Sequence, residues 1–256
     1  MKAWNYENDQ WLRLPSHLRH LPLFTRQFDV ISIVLRTLWW AFLRFLFFRF
    51  YCPLKVVGSY KDALKNHPRA LVIANHASHL DAVAISTSIP YRMWQDLYFA
   101  AAKDYFFANE FMAFFSKHCI GAIPIDRKDR RGGAVKLCIN LLIKLPKIWM
   151  VVFPEGTRST DGLIHPFKKG VSVFAEKSNT PLLFLYLDGP FRLWPKKGVF
   201  AVPGPLTVYV GPVHPPAPID VISKAYKEWV MSIHPHVFAP VTPHSRSGAS
   251  QETDPQ

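Results

Sequence analysis

Short, nearly unbroken runs of apolar residues constrain the fold of this chain more than any other feature of its sequence. Five such runs occupy residues 70–74, 120–125, 149–153, 182–187 and 206–210. Strands buried on both faces of a parallel sheet have this composition, whereas strands with one solvated face alternate polar and apolar residues. The runs therefore predict a sheet that is covered on both sides.

Helical segments are predicted between these strands. One begins near Ser78, a second, Phe-rich segment covers residues 97–115, and a third covers residues 132–147 with Pro146 near its end. Strands that alternate with helices are typical of a sheet whose connections cross over its faces. The sequence thus predicts the α/β class, with a mixed, mainly parallel sheet covered by helices.

The composition bounds the size and class of the protein. The chain has 256 residues, of which 49% are apolar and 19% are charged. This length suits one large domain, or one domain with a small accessory segment. The balance of apolar and charged residues excludes a disordered chain and a polytopic transporter.

The net charge of the chain is +13, from 31 Lys and Arg against 18 Asp and Glu. Such an excess predicts an anionic partner: nucleic acid, an anionic lipid surface or a phosphorylated substrate. Nucleic acid is disfavoured, because the basic residues are scattered and no helix-turn-helix, zinc-finger or aromatic RNA-binding signature is recognisable. The three cysteines contain no C-x-x-C pair, which argues against a disulfide framework or structural zinc and favours a reducing compartment.

Residues 28–51 form an apolar segment that is long enough to cross a bilayer, but it carries Arg36, Arg44 and Arg49. Its aliphatic and Phe side chains contribute roughly −4 to −8 kcal/mol to membrane insertion, and two near-central arginines at about +2.5 to +3.5 kcal/mol each cancel most of this. Arg36, Trp40 and Arg44 also lie within about 80° on a helical wheel, as a polar stripe would. We therefore expect an interfacial helix rather than a spanning one; a helix buried in the protein core is the alternative.

These patterns divide the chain into three parts. We expect a membrane-associating helical segment over residues 1–55, an α/β domain over residues 56–239, and a disordered tail over residues 240–256, where apolar residues are rare. The start of the chain has no apolar core of a cleaved signal peptide, so we expect the N-terminus to be retained.

A candidate acid–base pair follows the run at residues 70–74. A neutral imidazole such as that of His76 can take a proton from an alcohol near pH 7, and a carboxylate such as Asp81 on its other nitrogen fixes the tautomer. The spacing alone is weak evidence, because Ser78 and Asp81 also match a capping box in which Asp81 only stabilises the start of a helix. A serine-hydrolase site on Ser78 and His79 is a third possibility, which the absence of a G-x-S-x-G motif disfavours.

Two further loops carry residue types that bind anions. Arg127 has the guanidinium fork that binds phosphate, although it could equally pair with the aspartates around it. Glu155-Gly156-Thr157-Arg158 places a guanidinium and backbone N–H groups at the carboxyl end of a predicted strand, where open α/β sheets bind ligands. The alternative is a polar turn whose glycine serves only the backbone geometry.

Three sequence blocks taken together are far more specific than these spacings. They read N-H-A-S-H-L-D from residue 75, G-A-I-P-I-D-R from residue 121 and F-P-E-G-T-R-S from residue 153. In this order they closely resemble the first three signature blocks of the PlsC-type glycerolipid acyltransferases, which include lysophosphatidic acid acyltransferase. The resemblance extends over residues 56–212.

The resemblance implies an enzyme that transfers an acyl group from an acyl thioester to the free hydroxyl of a lysophospholipid. By position, His76 would be the general base and Asp81 the residue that orients it. The residues implied to bind the phosphate of the acceptor are Arg127, Glu155, Gly156, Thr157 and Arg158. Backbone N–H groups near Gly156 or Asn75 are candidates for binding the oxyanion.

The resemblance also implies the partners. The default acceptor is 1-acyl-sn-glycerol 3-phosphate, because the third block ends in Thr157-Arg158-Ser159. Another lysophospholipid acceptor, or a catalytically silent membrane-binding protein, is the alternative. Acyl-CoA or acyl carrier protein would be the co-substrate, with no cofactor, no metal and no nucleic acid. We expect membrane lipids as partners, and a membrane-associated protein whose active site faces the cytoplasm.

The fourth block departs from the family pattern. Members usually have an apolar strand with a central proline, whereas this chain reads T-P-L-L-F-L-Y from residue 180, with Phe184 near the position of that proline. The departure leaves the acyl-chain preference and the identity of the acceptor open.

Overall fold

One sheet of seven strands organises the computed structural model, which describes residues 30–125 and 133–240. In chain order the strands are β1 (Leu54–Val57), β2 (Arg69–Ala74), β3 (Leu97–Ala102), β4 (Ala122–Ile125), β5 (Ile148–Val152), β6 (Leu182–Asp188) and β7 (Leu206–His214). Their order in the sheet is β1-β7-β6-β2-β5-β3-β4. All neighbouring strands are parallel except β6 and β7, which are antiparallel. The predicted mixed, mainly parallel sheet is confirmed.

Helices of the described residues cover the sheet. In chain order they are α1 (Val30–Phe42), α2 (Lys61–Asn66), α3 (Leu80–Ser88), α4 (Tyr91–Trp94), α5 (Lys103–Phe106), α6 (Glu110–Phe115), α7 (Gly133–Lys144), α8 (Gly170–Ser178), α9 (Pro190–Leu193) and α10 (Ile219–Met231). A π-helical stretch, Leu43–Tyr51, continues α1 and is called the π segment below; another, Ser116–Ile120, continues α6.

The sheet separates two layers of core. Val72 of β2 packs in a cluster with residues of α3 and the π segment. The next residue, Ile73, packs in a second cluster with residues of α7, α8 and α10. Alternate residues of a strand point to opposite faces, so a strand covered on both sides must be apolar throughout. This double burial explains the unbroken run at residues 70–74.

The five predicted strands are confirmed, and β7 extends beyond the predicted end to His214. Two strands, β1 and β3, were not predicted. The predicted helix over residues 97–115 is wrong in its first part, because Leu97–Ala102 is β3, which pairs with β4 and β5. Leu and Ala favour helices, but burial between two strands overrides such local preference. The predicted helix that ends near Pro146 is confirmed as α7.

Arg36 of α1 is a buried anchor, only 4% exposed. Its Nη2 atom donates to the backbone carbonyls of Trp94 at 2.7 Å and Leu97 at 2.6 Å. The indole Nε1 of Trp94 donates in return to the carbonyl of Arg36 at 2.8 Å. Gly121, with φ +78°, lies so close that a Cβ there would be 2.8 Å from the guanidinium. These contacts fasten α1 to the sheet domain.

The outward face of α1 and the π segment is apolar instead. The predicted polar stripe of Arg36, Trp40 and Arg44 is therefore wrong: Arg36 is buried, Trp40 packs against the core, and only Arg44 is exposed. The guanidinium of Arg36 donates hydrogen bonds to buried backbone carbonyls of the sheet domain. The side of the helix that carries Arg36 therefore faces the sheet, and the apolar side faces outward. The exposed apolar residues are Val30, Ile33, Val34, Leu38, Phe42, Phe45, Leu46, Phe50 and Tyr51. No helix within the described residues has the length and apolar content needed to cross a bilayer.

The division of the chain into three parts stays a prediction. The tail predicted over residues 240–256 lies outside the described residues except for its first position, and so does the beginning of the predicted N-terminal segment, residues 1–29. The described part of that segment shares its packing with the α/β domain, because Leu43 and Phe48 belong to the same cluster as Val72 of β2.

Replacing Arg36 of α1 should destabilise the protein far more than replacing Arg44 of the π segment. Arg36→Ala leaves buried carbonyls without their charged donor, so we expect the free energy of unfolding to fall by roughly 3 kcal/mol. Arg44→Ala, at an exposed position, should change it by less than about 0.5 kcal/mol. Chemical unfolding of both variants in detergent measures the difference. Equal stabilities would contradict the anchoring role.

Candidate active site

The loops that follow β2 and β5 meet at the carboxyl edge of the sheet. Ile73 of β2 is paired in register with Val152 of β5, so the chain leaves both strands side by side. The backbone N–H of Ser159 donates to the carbonyl of His76 at 2.7 Å and joins the two loops. This edge is where open α/β sheets place their ligands. The first and third sequence blocks are thus brought together.

His76 and Asp81 form a hydrogen-bonded pair in the first of these loops. Nδ1 of His76 lies 2.8 Å from Oδ2 of Asp81, and the side chain of His76 is 20% exposed whereas that of Asp81 is fully buried. The imidazole stacks on Phe153 with 3.9 Å between ring centroids. A carboxylate on Nδ1 favours the tautomer with a proton there, which leaves Nε2 as a proton acceptor. The geometry therefore suits a general base.

The same carboxylate stabilises the start of α3. Oδ2 of Asp81 also accepts the backbone N–H groups of Ala77 at 2.7 Å and Ser78 at 2.8 Å. Oγ of Ser78 accepts the N–H of Leu80 at 3.0 Å, so the contacts resemble a capping box, although the hydroxyl binds Leu80 and not the N–H of Asp81. The two interpretations of Asp81, as helix cap and as partner of the histidine, are both met by one oxygen atom.

Ser78 has no geometry for a serine nucleophile. Its side chain is buried, and its Oγ donates to the carbonyl of Trp194 at 2.7 Å while accepting the N–H of Leu80. A nucleophile needs access to substrate and a base to take its proton. The hydroxyl is committed to structural bonds instead, which disfavours the hydrolase alternative.

Glu155 is the acidic residue of the third block, and its side chain points into the protein. It is buried, and its two carboxylate oxygens accept backbone N–H groups of His76 at 2.7 Å and His165 at 3.0 Å. Burial raises the pKa of Glu155 to about 7, although these two N–H groups lower it. An enclosed carboxylate with both oxygens engaged is unsuited to contact a phosphate. The geometry favours a positioning role for Glu155 over the phosphate contact that the resemblance implies.

Arg158 is the guanidinium that the third block contributes to the site. Its Nη1 atom is buried and has no hydrogen-bond partner among the described residues. The N–H of the next residue, Ser159, donates to the carbonyl of His76 at 2.7 Å, so Arg158 lies close to the His76 loop. Burial, and then the charge of Arg158, lowers the pKa of His79 in that loop. A buried guanidinium nitrogen without a partner is costly, and an anionic group bound at this edge would stabilise it.

Two lysines that the sequence analysis did not assign to the site lie against the same block. Nζ of Lys196 is 3.3 Å from Oγ1 of Thr157 and 3.3 Å from the carbonyl of Arg158. The side chain of Lys168 covers Gly156, where φ is +73° and a Cβ would be 2.7 Å from the lysine Nζ. Lys168 follows the third block closely, so its position offered a signal, but Lys196 belongs to no recognised block. Together with Arg158 they form a cation cluster.

Three further predicted site groups are the side chain of Arg127 and the backbone N–H groups of Asn75 and Gly156. Arg127 lies outside the described residues, so its contact with phosphate stays a prediction. The backbone N–H groups of Asn75 and Gly156 are already engaged: the first donates to Oη of Tyr226 at 3.2 Å, and the second donates to the carbonyl of Phe153 at 3.0 Å. Neither is free to bind an oxyanion in this conformation.

Phe184, the departure in the fourth block, is a core residue of β6. It is buried, packs in the layer that contains α7, α8 and α10, and stacks on His214 with 5.6 Å between ring centroids. It also packs edge-to-face against Tyr226. Its place in the structure is thus in the sheet interior rather than among the cation cluster.

A cavity of about 190 Å³ borders Asp81 but not His76. Oδ1 of Asp81 has no hydrogen-bond partner among the described residues, and a cavity with such a polar wall has room for water. The other carboxylates of the cavity, Asp161 and Asp188, pair with His165 and Arg192. No three His, Cys, Asp or Glu side chains in the described part of the chain are grouped as metal ligands would be. A metal-free reaction stays a prediction.

Comparison with known proteins decides the family. Residues 55–187 match the family model described as Acyltransferase, and this range is more than half of the chain. The chain belongs to the acyltransferase family. The matched range includes all three sequence blocks and both members of the His76–Asp81 pair.

Individual relatives carry a more specific name. The chain is 31% identical over 175 residues to a 1-acyl-sn-glycerol-3-phosphate acyltransferase of Limnanthes douglasii, which covers 63% of this chain and 55% of that protein. It is 31% identical over 147 residues to the alpha form of the enzyme from Mus musculus, covering 56% of this chain and 48% of that protein. The chain spans about half the length of these relatives.

A crystal structure has the same fold. It is that of the 1-acyl-sn-glycerophosphate (LPA) acyltransferase, PlsC, from Thermotoga maritima, with a TM-score of 0.62 and 21% sequence identity. The similarity covers 79% of this chain and 82% of that chain. At this identity the likeness establishes the α/β fold of the acyltransferase domain.

Replacing Glu155 by glutamine should flatten the pH dependence of stability. The pKa of Glu155 is about 7 in the folded protein, above the ordinary value of 4.5. The stability that the protonated carboxyl contributes is therefore complete below pH 4.5 and is lost as the pH rises through 7. We expect the wild type to lose up to about 3 kcal/mol over this range relative to Glu155→Gln. Unfolding midpoints measured across the range test this, and an unchanged slope in the variant would assign the titration to another group.

Proposed function

We propose that this chain is an enzyme that moves a fatty acyl group from an acyl thioester to the free hydroxyl of a lysophospholipid. The observation that carries the proposal is the pairing of a partly exposed His76 with a buried Asp81 at 2.8 Å, next to the loop that presents Arg158. Membership in the acyltransferase family supports the reaction class.

The pair supplies the proton transfer of the first step. Nε2 of His76 accepts the proton of the lysophospholipid hydroxyl while the hydroxyl oxygen forms a bond to the thioester carbonyl carbon. Asp81 stabilises the resulting imidazolium through the hydrogen bond to Nδ1. The tetrahedral intermediate then collapses, its carbon–sulfur bond breaks, and the thiolate takes up the proton that His76 releases. Because a thiol has a pKa of about 8.5, this leaving group needs little assistance. The hydroxyl attacks the thioester directly, so the reaction needs no acyl-enzyme.

The cation cluster supports 1-acyl-sn-glycerol 3-phosphate as the acceptor. A phosphate monoester carries nearly two negative charges at neutral pH, since its second pKa is about 6. Nη1 of Arg158 lacks a partner among the described residues, and Lys196 and Lys168 lie against the same block. The names of the relatives point to the same acceptor. Another lysophospholipid is the alternative.

The acyl donor is acyl-CoA or acyl carrier protein. Coenzyme A carries phosphates, and acyl carrier protein is acidic, so the net charge of +13 attracts either one. The reaction uses the thioester that both donors share. A direct comparison of the two donors therefore belongs in the test below.

Membrane association is part of the same proposal. The apolar outer face of α1 and the π segment, with exposed Arg44 and Arg49 among its residues, suits a helix that lies in the membrane interface. Each basic residue close to an anionic surface adds about 1 kcal/mol to binding. That the active site faces the cytoplasm stays a prediction from the sequence.

The deciding experiment measures acyl transfer by purified protein in detergent. Labelled acyl-CoA and acyl carrier protein serve as donors, and lysophosphatidic acid is compared with other lysophospholipids. We expect His76→Ala to lower kcat by about 10² to 10⁴, the usual contribution of a general base. The matched control is His67→Ala, a histidine at the opposite end of β2, which should keep wild-type activity. Circular dichroism verifies the fold of both variants.

Each outcome has a definite meaning. Transfer to lysophosphatidic acid that is lost only in His76→Ala supports the base, the reaction and the acceptor. Transfer only to another lysolipid replaces the acceptor and keeps the mechanism. Activity that survives in His76→Ala contradicts the mechanism. Absence of transfer with retained lipid binding supports the catalytically silent alternative.

Lys196→Gln should weaken binding of an acceptor with a phosphate monoester. The variant loses a cation beside Thr157 and Arg158, so we expect the KM for lysophosphatidic acid to rise about tenfold. The KM for lysophosphatidylcholine, whose phosphate is a diester, should change less. Lys177→Gln, on an exposed site of α8, is the charge-matched control. An equal rise for both acceptors would argue against recognition of the monoester by Lys196.

A further inference from the structure

The loop between α9 and β7, residues 194–205, exposes apolar side chains without serving any motif of the family. Phe200 is the most exposed large apolar residue of the described chain, at 82%, and its neighbour Val199 is 76% exposed. The loop reads W-P-K-K-G-V-F-A-V-P-G-P, which contains two lysines and no acidic residue. Apolar residues that are exposed together in this way mark a binding surface.

Internal hydrogen bonds hold the loop in shape. Gly198 N–H donates to the carbonyl of Pro195 at 2.8 Å, and the indole Nε1 of Trp194 donates to the carbonyl of Gly198 at 2.9 Å. Val202 N–H donates to the carbonyl of Leu193 in α9 at 2.8 Å. The apolar tip is therefore presented by an ordered turn rather than by a loose chain.

The loop is continuous with the apolar face of the N-terminal helices. Oη of Tyr51, the last residue of the π segment, donates to the carbonyl of Ala201 at 2.8 Å. The N–H of Gly204 donates to the carbonyl of Tyr51 at 3.2 Å. Phe50, the neighbour of Tyr51, is 76% exposed. The exposed apolar surface thus extends from the π segment to the tip of the loop.

The base of the same loop contacts the candidate active site. The carbonyl of Trp194 accepts the hydroxyl of Ser78, and its ring packs against His79 with 4.9 Å between centroids. Lys196 reaches Thr157 and the carbonyl of Arg158. One short loop therefore joins the first and third sequence blocks of the site to the exposed apolar surface.

We propose that the 194–205 loop inserts into the lipid interface, with Val199 and Phe200 among the acyl chains and Lys196 and Lys197 at the headgroups. The proposal rests on the proposed function. It identifies the part of the protein through which the candidate active site reaches the lipid. An anionic lipid surface is favoured over a protein partner by charge, because the loop and residues 30–57 beside it contain only basic charged residues. The acceptor then reaches the cation cluster from the membrane plane.

A fluorophore placed on the loop tests insertion directly. The native cysteines, Cys52, Cys119 and Cys138, are all buried, so Phe200→Cys can be labelled selectively with the fluorophore NBD. In vesicles of phosphatidylcholine with phosphatidylglycerol we expect a blue-shifted emission that spin-labelled lipids quench. Val221→Cys on α10, exposed in the opposite layer of helices, is the matched control and should keep the emission it has in buffer.

A second measurement uses binding without turnover, so it separates the loop from the proposed reaction. Phe200→Ser, made in the His76→Ala background, should weaken partitioning into the same vesicles about tenfold, the effect of losing one inserted aromatic side chain. Val221→Ser should change partitioning less than about twofold. If acyl transfer fails while these results hold, only the proposed function is withdrawn.

Two results would overturn the insertion. The first is water-like emission from labelled Phe200→Cys in protein that sediments with vesicles, because membrane contact would then lie elsewhere. The second is loss of self-association in Phe200→Ser with unchanged partitioning, because the tip would then be an interface between copies of this chain. Sedimentation velocity in detergent gives the oligomeric state of Phe200→Ser and Val221→Ser relative to the protein without these substitutions.

Discussion

Oδ2 of Asp81 accepts three hydrogen bonds, from Nδ1 of His76 and from the backbone N–H groups of Ala77 and Ser78. The orientation of the imidazole, the path of the loop after β2 and the start of α3 therefore depend on one atom. A carboxylate held by two backbone donors cannot turn away from the histidine without leaving those donors unpaired, which costs about 1–3 kcal/mol for each buried group. The candidate base is thus oriented by the fold itself, before any substrate binds.

The loop after β5 fixes the backbone of His76 through two hydrogen bonds. Its N–H donates to Glu155, and its carbonyl accepts the N–H of Ser159. Glu155 also accepts the N–H of His165, so one buried carboxyl connects both ends of the third block's loop to the first block. This accounts for an acidic residue between Pro154 and Gly156 in a loop that also carries Arg158. The carboxyl binds backbone N–H groups, whereas Nη1 of Arg158 has no hydrogen-bond partner among the described residues.

The sequence was sufficient for those elements whose residues interact locally. The run at residues 70–74 shows double burial by its composition, and the pair His76 and Asp81 lies within one loop. It was insufficient where a distant partner decides the structure. Leu97–Ala102 became a strand because β4 and β5 lie on either side of it, and Arg36 turned inward because carbonyls near Trp94, 58 residues away, accept its guanidinium. Lys196 contacts Thr157 and Arg158, which are 39 and 38 residues away in the sequence, and no sequence motif predicts this contact.

These long-range contacts have a common consequence for a lipid substrate. A lysophospholipid keeps its acyl chain in an apolar medium, so its headgroup and hydroxyl can reach protein only near the membrane plane. The proposed activity therefore requires a fixed distance between the base and the proposed lipid-facing surface. Tyr51 ties the π segment to Ala201, and Trp194 ties the same loop to Ser78, two residues from His76. Because each link is a hydrogen bond between ordered elements, the proposed insertion of the 194–205 loop would also set the height of the base above the lipid.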